Sequence, residues 1–224
     1  SGSPILYVSN LYGEALSPLP VQVGWISGDG TSGPVFEDIN NDGQLDVIFN
    51  GEDPLNSDKL FVYKRDGTPL AGFPVDMYPN TSVTSTPILY KNDGSKEIIT
   101  PGFPYLRAFS GNGTKLWERE RTVPTNLPAV VADLDNNGSQ DIVVTEWYSV
   151  YALDNQGDYL PGWPQATPSD RANLGGNVVI GDFEGNSTLD FFHTVLADPY
   201  IVSWRENGDH VPGFSANKGP DLST

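Results

Sequence analysis

DLDNNGSQDIVVTEWYSVYALDNQGDYLPGWP, residues 133–164, holds three phrases in a fixed order. An acidic loop, DLDNNGSQD, runs into the apolar stretch DIVV; a second stretch, VYAL, ends in a turn of the form x-x-G; and YLPGWP follows. Runs rich in Val, Ile and Tyr, bounded by Asn, Asp, Gly and Pro, predict short strands joined by tight turns.

The same order recurs along the chain. Strand and turn return as FVYKRDG (61–67), RAFSGNG (107–113) and IVSWRENG (201–208), with YVSNLYG (7–13) a fainter copy. The turn glycines Gly13, Gly67, Gly113, Gly157 and Gly208 are 54, 46, 44 and 51 residues apart. PLAGFP (69–74) and HVPGF (210–214) repeat YLPGWP at the same phase. The acidic phrase returns as DINNDGQLDVIF (38–49) and DFEGNSTLDFFH (182–193), and in shortened form as YKNDGSKEIIT (90–100). No segment carries the i, i+3, i+4 apolar spacing of a helical solenoid. Four short strands in each repeat of 40–50 residues is the pattern of a propeller blade.

The expected fold is therefore all-β: a β-propeller of four-stranded blades forming one domain or segment over residues 1–224. Four full blades fall at about 33–78, 84–122, 127–168 and 176–215, with half a blade at about 4–24. Either the ring closes with about five blades or the chain is a piece of a larger propeller, which the register slightly favours.

The acidic loops point to a cation. In DINNDGQLD the oxygen-bearing residues Asp38, Asn40, Asp42 and Asp46 stand at loop positions 1, 3, 5 and 9, with Gly43 at 6 and the carbonyl of Gln44 at 7. Alternate positions of an extended turn point the same way, and a glycine at 6 permits the reversal that brings 7 and 9 to the same centre. Calcium takes six to eight hard oxygen ligands, and this constellation supplies most of them. The second loop offers Asp133, Asp135, Asn137, the carbonyl of Ser139, and Asp141; the third offers Asp182, Glu184, Asn186, the carbonyl of Thr188, and Asp190. Ser187 replaces the glycine at position 6 of the third loop, which makes it the weakest of the set. The shortened copy keeps Asp93 and Glu97 but sets Lys91 and Lys96 beside them, so no ion is expected there. An EF-hand would need Glu at position 12 between two helices; Phe49, Val144 and His193 stand there, flanked by strands. Asp, Asn and Gly also favour turns without any metal, and it is the threefold recurrence of the spacing that argues for two to three structural Ca²⁺ ions.

The D-x-[DN]-x-[DN]-G-x-x-D loop in a four-stranded repeat, with the x-x-G turn and the LPGWP-like phrase, resembles the FG-GAP/VCBS repeats of integrin-α-type β-propellers over about residues 5–215. The resemblance implies structural Ca²⁺ on one rim of a secreted or cell-surface protein. The FG-GAP dipeptides are poorly kept, as in GPVFED, and the LPGWP phrases look more like those of bacterial secreted proteins bearing such repeats.

Bulk composition agrees. Twenty-nine acidic and 12 basic residues give a net charge of −17, which argues against nucleic acid and anionic membranes as partners. Cysteine is absent, excluding disulfides, zinc thiolates and a cysteine nucleophile. No stretch approaches the ~20 apolar residues of a membrane span, and the amino end shows no basic segment followed by an apolar core. A soluble chain is expected, its signal peptide removed or lying outside this sequence.

Catalysis finds little support. His193 and His210 are the only histidines, and no G-x-S-x-G elbow accompanies them. Phe73, Trp163 and Phe214 recur at one phase and are expected to pack between blades, whereas Trp147 and Tyr148 are either a sugar-stacking or protein-contact site or half-buried packing. Asn-x-Ser/Thr occurs at Asn80, Asn112, Asn137 and Asn186, two of them inside the cation loops. The expected function is a secreted or cell-surface calcium-binding adhesion or ligand-binding module for a protein or glycan, with a binding role favoured over an enzymatic one. The alternative is an accessory propeller of an extracellular protease, polysaccharide hydrolase or lyase; a lyase would need clustered Arg or Lys, and the basic residues are scattered.

Overall fold

The computed structural model describes residues 5–6, 21–22, 33–52, 58–78, 88–91, 93–121, 128–146, 149–166, 178–195 and 200–211. Among these residues every regular element is a strand and every strand pairing is antiparallel.

A two-stranded pair, β1 (Ile5–Leu6) with β2 (Val21–Gln22), comes first. Sheet I then contains β3 (Val35–Glu37), β4 (Asp46–Glu52), β5 (Asp58–Tyr63) and β6 (Val75–Asp76), hydrogen-bonded in that order. Sheet II contains β7 (Ile88–Tyr90), β8 (Lys96–Pro101), β9 (Tyr105–Ser110) and β10 (Lys115–Glu120), again in chain order. Sheet III contains β11 (Val130–Ala132), β12 (Asp141–Thr145), β13 (Ser149–Leu153) and β14 (Gln165–Ala166); sheet IV contains β15 (Val178–Gly181), β16 (Asp190–Val195) and β17 (Tyr200–Arg205). Each sheet is thus a meander in which sequence neighbours are spatial neighbours, and the three full acidic loops each join the first strand of a sheet to the second.

The x-x-G turns are one structure repeated. Gly67, Gly113, Gly157 and Gly208 have φ of 75°, 82°, 82° and 84°, the left-handed region that glycine enters without a steric penalty. Each donates its N–H to the carbonyl three residues back, as Gly67 does to Lys64 at 2.9 Å and Gly208 to Arg205 at 2.9 Å. The residue that starts each turn closes it by donating to the carbonyl four residues on, as Lys64 does to Thr68 at 2.9 Å and Asp154 to Asp158 at 2.8 Å. This is the three-residue hairpin loop that ends in a left-handed glycine.

The chain divides into two compact units, one of Ser1–Ile88 with Ser95–Arg121, the other of Leu89–Gly94 with Thr122–Thr224. Each holds a core of the same design. In the first, Ile39, Ile48, Leu60, Leu70 and Phe73 of sheet I and its connections bury against Ile98 and Phe109 of sheet II. In the second, Leu134, Val143, Val150, Leu160 and Trp163 of sheet III and its connections bury against Phe191 and Trp204 of sheet IV. The residues correspond one for one by repeat position: Ile48 with Val143, Phe73 with Trp163, Phe109 with Trp204. The period-two alternation of each strand sends one set of side chains into this core and the other to the opposite face. On sheet I that opposite face carries Val47 and a buried stack of Phe49, Phe61 and Tyr63, with Phe49 and Phe61 centroids 5.2 Å apart.

The recurring Gly-aromatic phrase ties consecutive sheets together inside each unit. Trp163 donates its indole N–H to the carbonyl of Glu206 at 2.8 Å and lies 4.9 Å from the Phe191 ring. Phe73 and Trp163 are both buried, in keeping with the packing role expected of them. Phe214, Trp147, Tyr148, Asn80 and the faint copy at 7–13 lie outside the described residues.

Candidate metal centre

The three acidic loops share one backbone, held by their own side chains. The Asp at position 1 accepts two backbone N–H groups, from positions 5 and 6: Asp38 from Asp42 (2.9 Å) and Gly43 (2.8 Å), Asp133 from Asn137 (3.0 Å) and Gly138 (3.0 Å), Asp182 from Asn186 (3.0 Å) and Ser187 (2.9 Å). The position 5 side chain accepts the N–H of position 7, as Asn137 does from Ser139 at 2.7 Å. The Asp at position 9 reaches back to the N–H of position 2: Asp46 to Ile39 (3.3 Å), Asp141 to Leu134 (2.9 Å) and Asp190 to Phe183 (2.9 Å). Short polar side chains thus supply the backbone partners that a strand ladder would otherwise provide.

Positions 4 and 6 both turn left-handed in every loop. Asn41 and Gly43 have φ of 58° and 85°, Asn136 and Gly138 of 55° and 87°, Gly185 and Ser187 of 70° and 68°. The missing glycine that made the third loop the weakest candidate is therefore no obstacle to its shape. Glycine has moved to position 4, and Ser187 adopts the turn with its N–H on Asp182.

The second loop gathers its carboxylates. Asp133, Asp135 and Asp141 each present an oxygen within 4.8 Å of the others, and among the described residues no other group of three does so. Oxygens sharing one Ca²⁺ at 2.3–2.6 Å lie at most about 5 Å apart, so this trio could hold such an ion, with Asn137 and the Ser139 carbonyl completing the set. Asp141 is fully buried, and its Oδ1 has no hydrogen-bond partner. Burial pushes its carboxyl up to about 6, the Leu134 N–H opposes this, and the charges of Asp135 and Asp133 add to it. Asp46 of the first loop behaves alike: burial raises it to about 6 against the Ile39 N–H, with Asp42 and Asp38 adding and Lys64 opposing.

Two cations reach the other loops by routes that loop spacing alone does not show. Lys96, from the shortened copy, extends to the entrance of the first loop, where its Nζ lies 2.8 Å from Glu37 and donates to the carbonyl of Asp38 at 2.5 Å. In the third loop Glu184, at position 3, accepts two hydrogen bonds from Arg205, at 2.8 and 3.0 Å. This bidentate pair holds the Glu184 carboxyl below its usual range. Arg205 stands directly opposite Asp190 in the β16–β17 ladder. The signal was present in the sequence, because the residue that starts the x-x-G turn must face the end of the acidic loop once the hairpin forms.

His193 sits buried in β16, opposite Val178 and Val202, as expected of a strand position. His210 stacks on Trp204, and its Nδ1 lies 3.1 Å from the Ser203 carbonyl, which it can only approach as a donor.

No family model matches the sequence, and no curated protein matches it. Solved structures are similar to it at low identity. A crystal structure of BBS1N in complex with ARL6DN superposes with a TM-score of 0.54 at 14% identity, covering 84% of this chain and 57% of that one. A protein of unknown function from Bacteroides caccae gives a TM-score of 0.48 at 13% identity, covering 93% of this chain and 74% of that one. The V. cholerae biofilm matrix protein Bap1 gives 0.44 at 16% identity, covering 83% of this chain and 39% of that one.

Proposed function

We propose that this chain is a calcium-stabilised β-propeller, or a piece of one, of the FG-GAP/VCBS kind, acting outside the cell as an adhesion or ligand-binding module for a protein or glycan. The propeller reading is supported by successive four-stranded meanders and by the core built twice to one design, with a face of one sheet on the opposite face of the next. The cation reading is carried by one observation: Asp141 is fully buried with an unpartnered Oδ1 beside the oxygens of Asp133 and Asp135. A buried carboxylate in that position is costly unless it is protonated or meets a positive charge, and a divalent ion supplies the charge. Its role is structural, since binding to the folded chain alone stabilises it by mass action, and the millimolar affinity typical of extracellular modules suffices at extracellular calcium.

The module reading is tested in two arms. Thermal melting with calcium and with EDTA is expected to give a higher midpoint in calcium, and equal midpoints would refute the cation. A glycan array probed with and without chelator then separates a glycan-binding module, which loses signal when the loops are stripped, from an accessory domain that binds no glycan.

A further inference from the structure

Resting on the cation reading above, we propose that the residue starting each x-x-G turn decides which acidic loop takes a divalent ion: Asp154 leaves the loop of Asp133, Asp135 and Asp141 open to Ca²⁺, while Arg205 replaces the ion in the loop of Asp182, Glu184 and Asp190.

The pairing follows from the register. Asp190 faces Arg205 across β16–β17. Val47 faces Tyr63 and Ile142 faces Leu153, so the next residues outward place Lys64 at the end of the first loop and Asp154 at the end of the second. One position of the repeat therefore carries Lys, Asp and Arg in the three sheets with a full loop. The loops are otherwise built alike, with the same capping bonds and the same two left-handed positions.

The consequences differ by sheet. Arg205 is committed to the loop, with both carboxylate oxygens of Glu184 on its guanidinium and the charge of Asp190 acting on it as well. Asp190 Oδ1, like Asp141 Oδ1, is buried without a hydrogen-bond partner, but Asp190 faces Arg205 across the ladder and its charge is felt by the guanidinium. The position 3 ligand is spoken for, and an incoming Ca²⁺ would meet a fixed positive charge where its own would sit. In the second loop the corresponding residue is an acid, whose Oδ1 accepts the N–H groups of Gln156 at 2.8 Å and Asp158 at 2.9 Å within its own turn. Asp135 at position 3 keeps only loop donors, the backbone N–H and side-chain amide of Asn137 at 3.1 and 2.9 Å. Asp141 thus faces an acid where Asp190 faces an arginine. In the first loop the Lys64 charge reaches Asp46 as the smallest of the influences on it.

The test is a calorimetric calcium titration of the full chain, with stoichiometry and affinity read for the native protein and three variants. Glu184→Gln is expected to leave both unchanged, because Glu184 is bound to Arg205 rather than to an ion. Arg205→Asp, which copies the second loop, is expected to add one equivalent of bound calcium. Asp154→Arg, which copies the third, is expected to weaken the tight site at least tenfold while far-UV circular dichroism is unchanged. Loss of an equivalent in Glu184→Gln, or an unaltered titration in Arg205→Asp and Asp154→Arg, overturns the inference while leaving the cation reading intact. No binding by the native chain overturns the cation reading itself. Glu184→Gln is isosteric, and with far-UV circular dichroism confirming its fold it keeps the proposal falsifiable even where the charge-reversing variants are unstable.

Discussion

The Cα of Gly162 lies so close to Asn207 that a β-carbon there would stand 1.9 Å from the Asn207 carbonyl oxygen. Gly72 stands in the same relation to Asn112, again at 1.9 Å. In both units the Gly-aromatic phrase of one sheet is pressed against the x-x-G turn of the next, and the two glycines also have φ of 87° and 94°. Gly162→Ala and Gly72→Ala are each expected to cost about 3 kcal/mol or more, through both strain and displacement of backbone. In a chain of this size that lowers the melting midpoint by roughly 6–12 °C. Gly94→Ala is the control. Its φ is 81° but nothing lies within 4 Å of the added carbon, so it should lose only the conformational part, on the order of 1 kcal/mol.

Lys96 predicts a second asymmetry. Its ammonium and Glu37 are both largely shielded from solvent, and it also holds the Asp38 carbonyl. Lys96→Met should destabilise by about 1–3 kcal/mol, since it removes the positive charge set against a shielded carboxylate and a donor to the Asp38 carbonyl. Lys115 pairs with Glu118 at 2.7 Å, but both are well exposed, and Lys115→Met should change stability by less than about 1 kcal/mol. Chemical denaturation of both variants at low and high salt checks the contrast, because only the exposed pair is strongly screened.

The repeat made much of this legible. Three phrases in a fixed order mark the strands, the acidic loops and the tight turns, because each phrase has a local physical cause: left-handed glycine in the turn, side-chain capping in the loop, alternation in the strand. The strands of IVSWRENG and DFEGNSTLDFFH stand where the periodicity placed them, as β17 and β16. What escaped the reading is tertiary. Nothing in YKNDGSKEIIT says that Lys96 serves the preceding sheet's loop rather than its own, because that depends on how consecutive sheets stack. Nor does Ser187 at position 6 reveal that the third loop keeps its shape, because that depends on glycine standing at position 4 instead.

Asp46 and Asp141, both raised to about 6, set the pH behaviour of the metal-free chain. A carboxyl whose folded pKa exceeds its unfolded value of 3.8 binds protons more readily when folded, so stability rises as pH falls from about 7 through 6 toward 4. Each raised carboxyl contributes about 3 kcal/mol at most. Below about pH 4 the trend reverses, because Asp182, Glu184 and Asp76 are held below their usual range and lose their hydrogen bonds when protonated. The EDTA-treated protein should therefore melt highest near pH 5. If the acidic loop holds calcium as proposed, the order should invert between pH 7 and 5 in calcium, because protons then compete with the ion. Midpoints measured every half unit of pH, with EDTA and with calcium, check both curves. A midpoint in EDTA that falls steadily from pH 7 to 5 would contradict the assigned shifts.

Asp141→Asn separates the two costs of the buried carboxylate. Asparagine keeps an oxygen for the Leu134 N–H, now 2.9 Å from Oδ2, and fills the same volume. It removes the charge that burial and the neighbouring Asp135 and Asp133 make unfavourable. In EDTA at pH 7 the variant should therefore melt above the native chain, by the stability that protonation would otherwise have to restore. In calcium the order should reverse, because the ion loses a charged ligand and the native chain regains its stabilisation. Removing one carboxylate is thus expected to stabilise the stripped protein and to reduce its response to calcium at least tenfold in affinity. A variant that melts below the native chain in both conditions would mean that the Asp141 charge stabilises the loop even without an ion, contrary to the cost assigned to its burial.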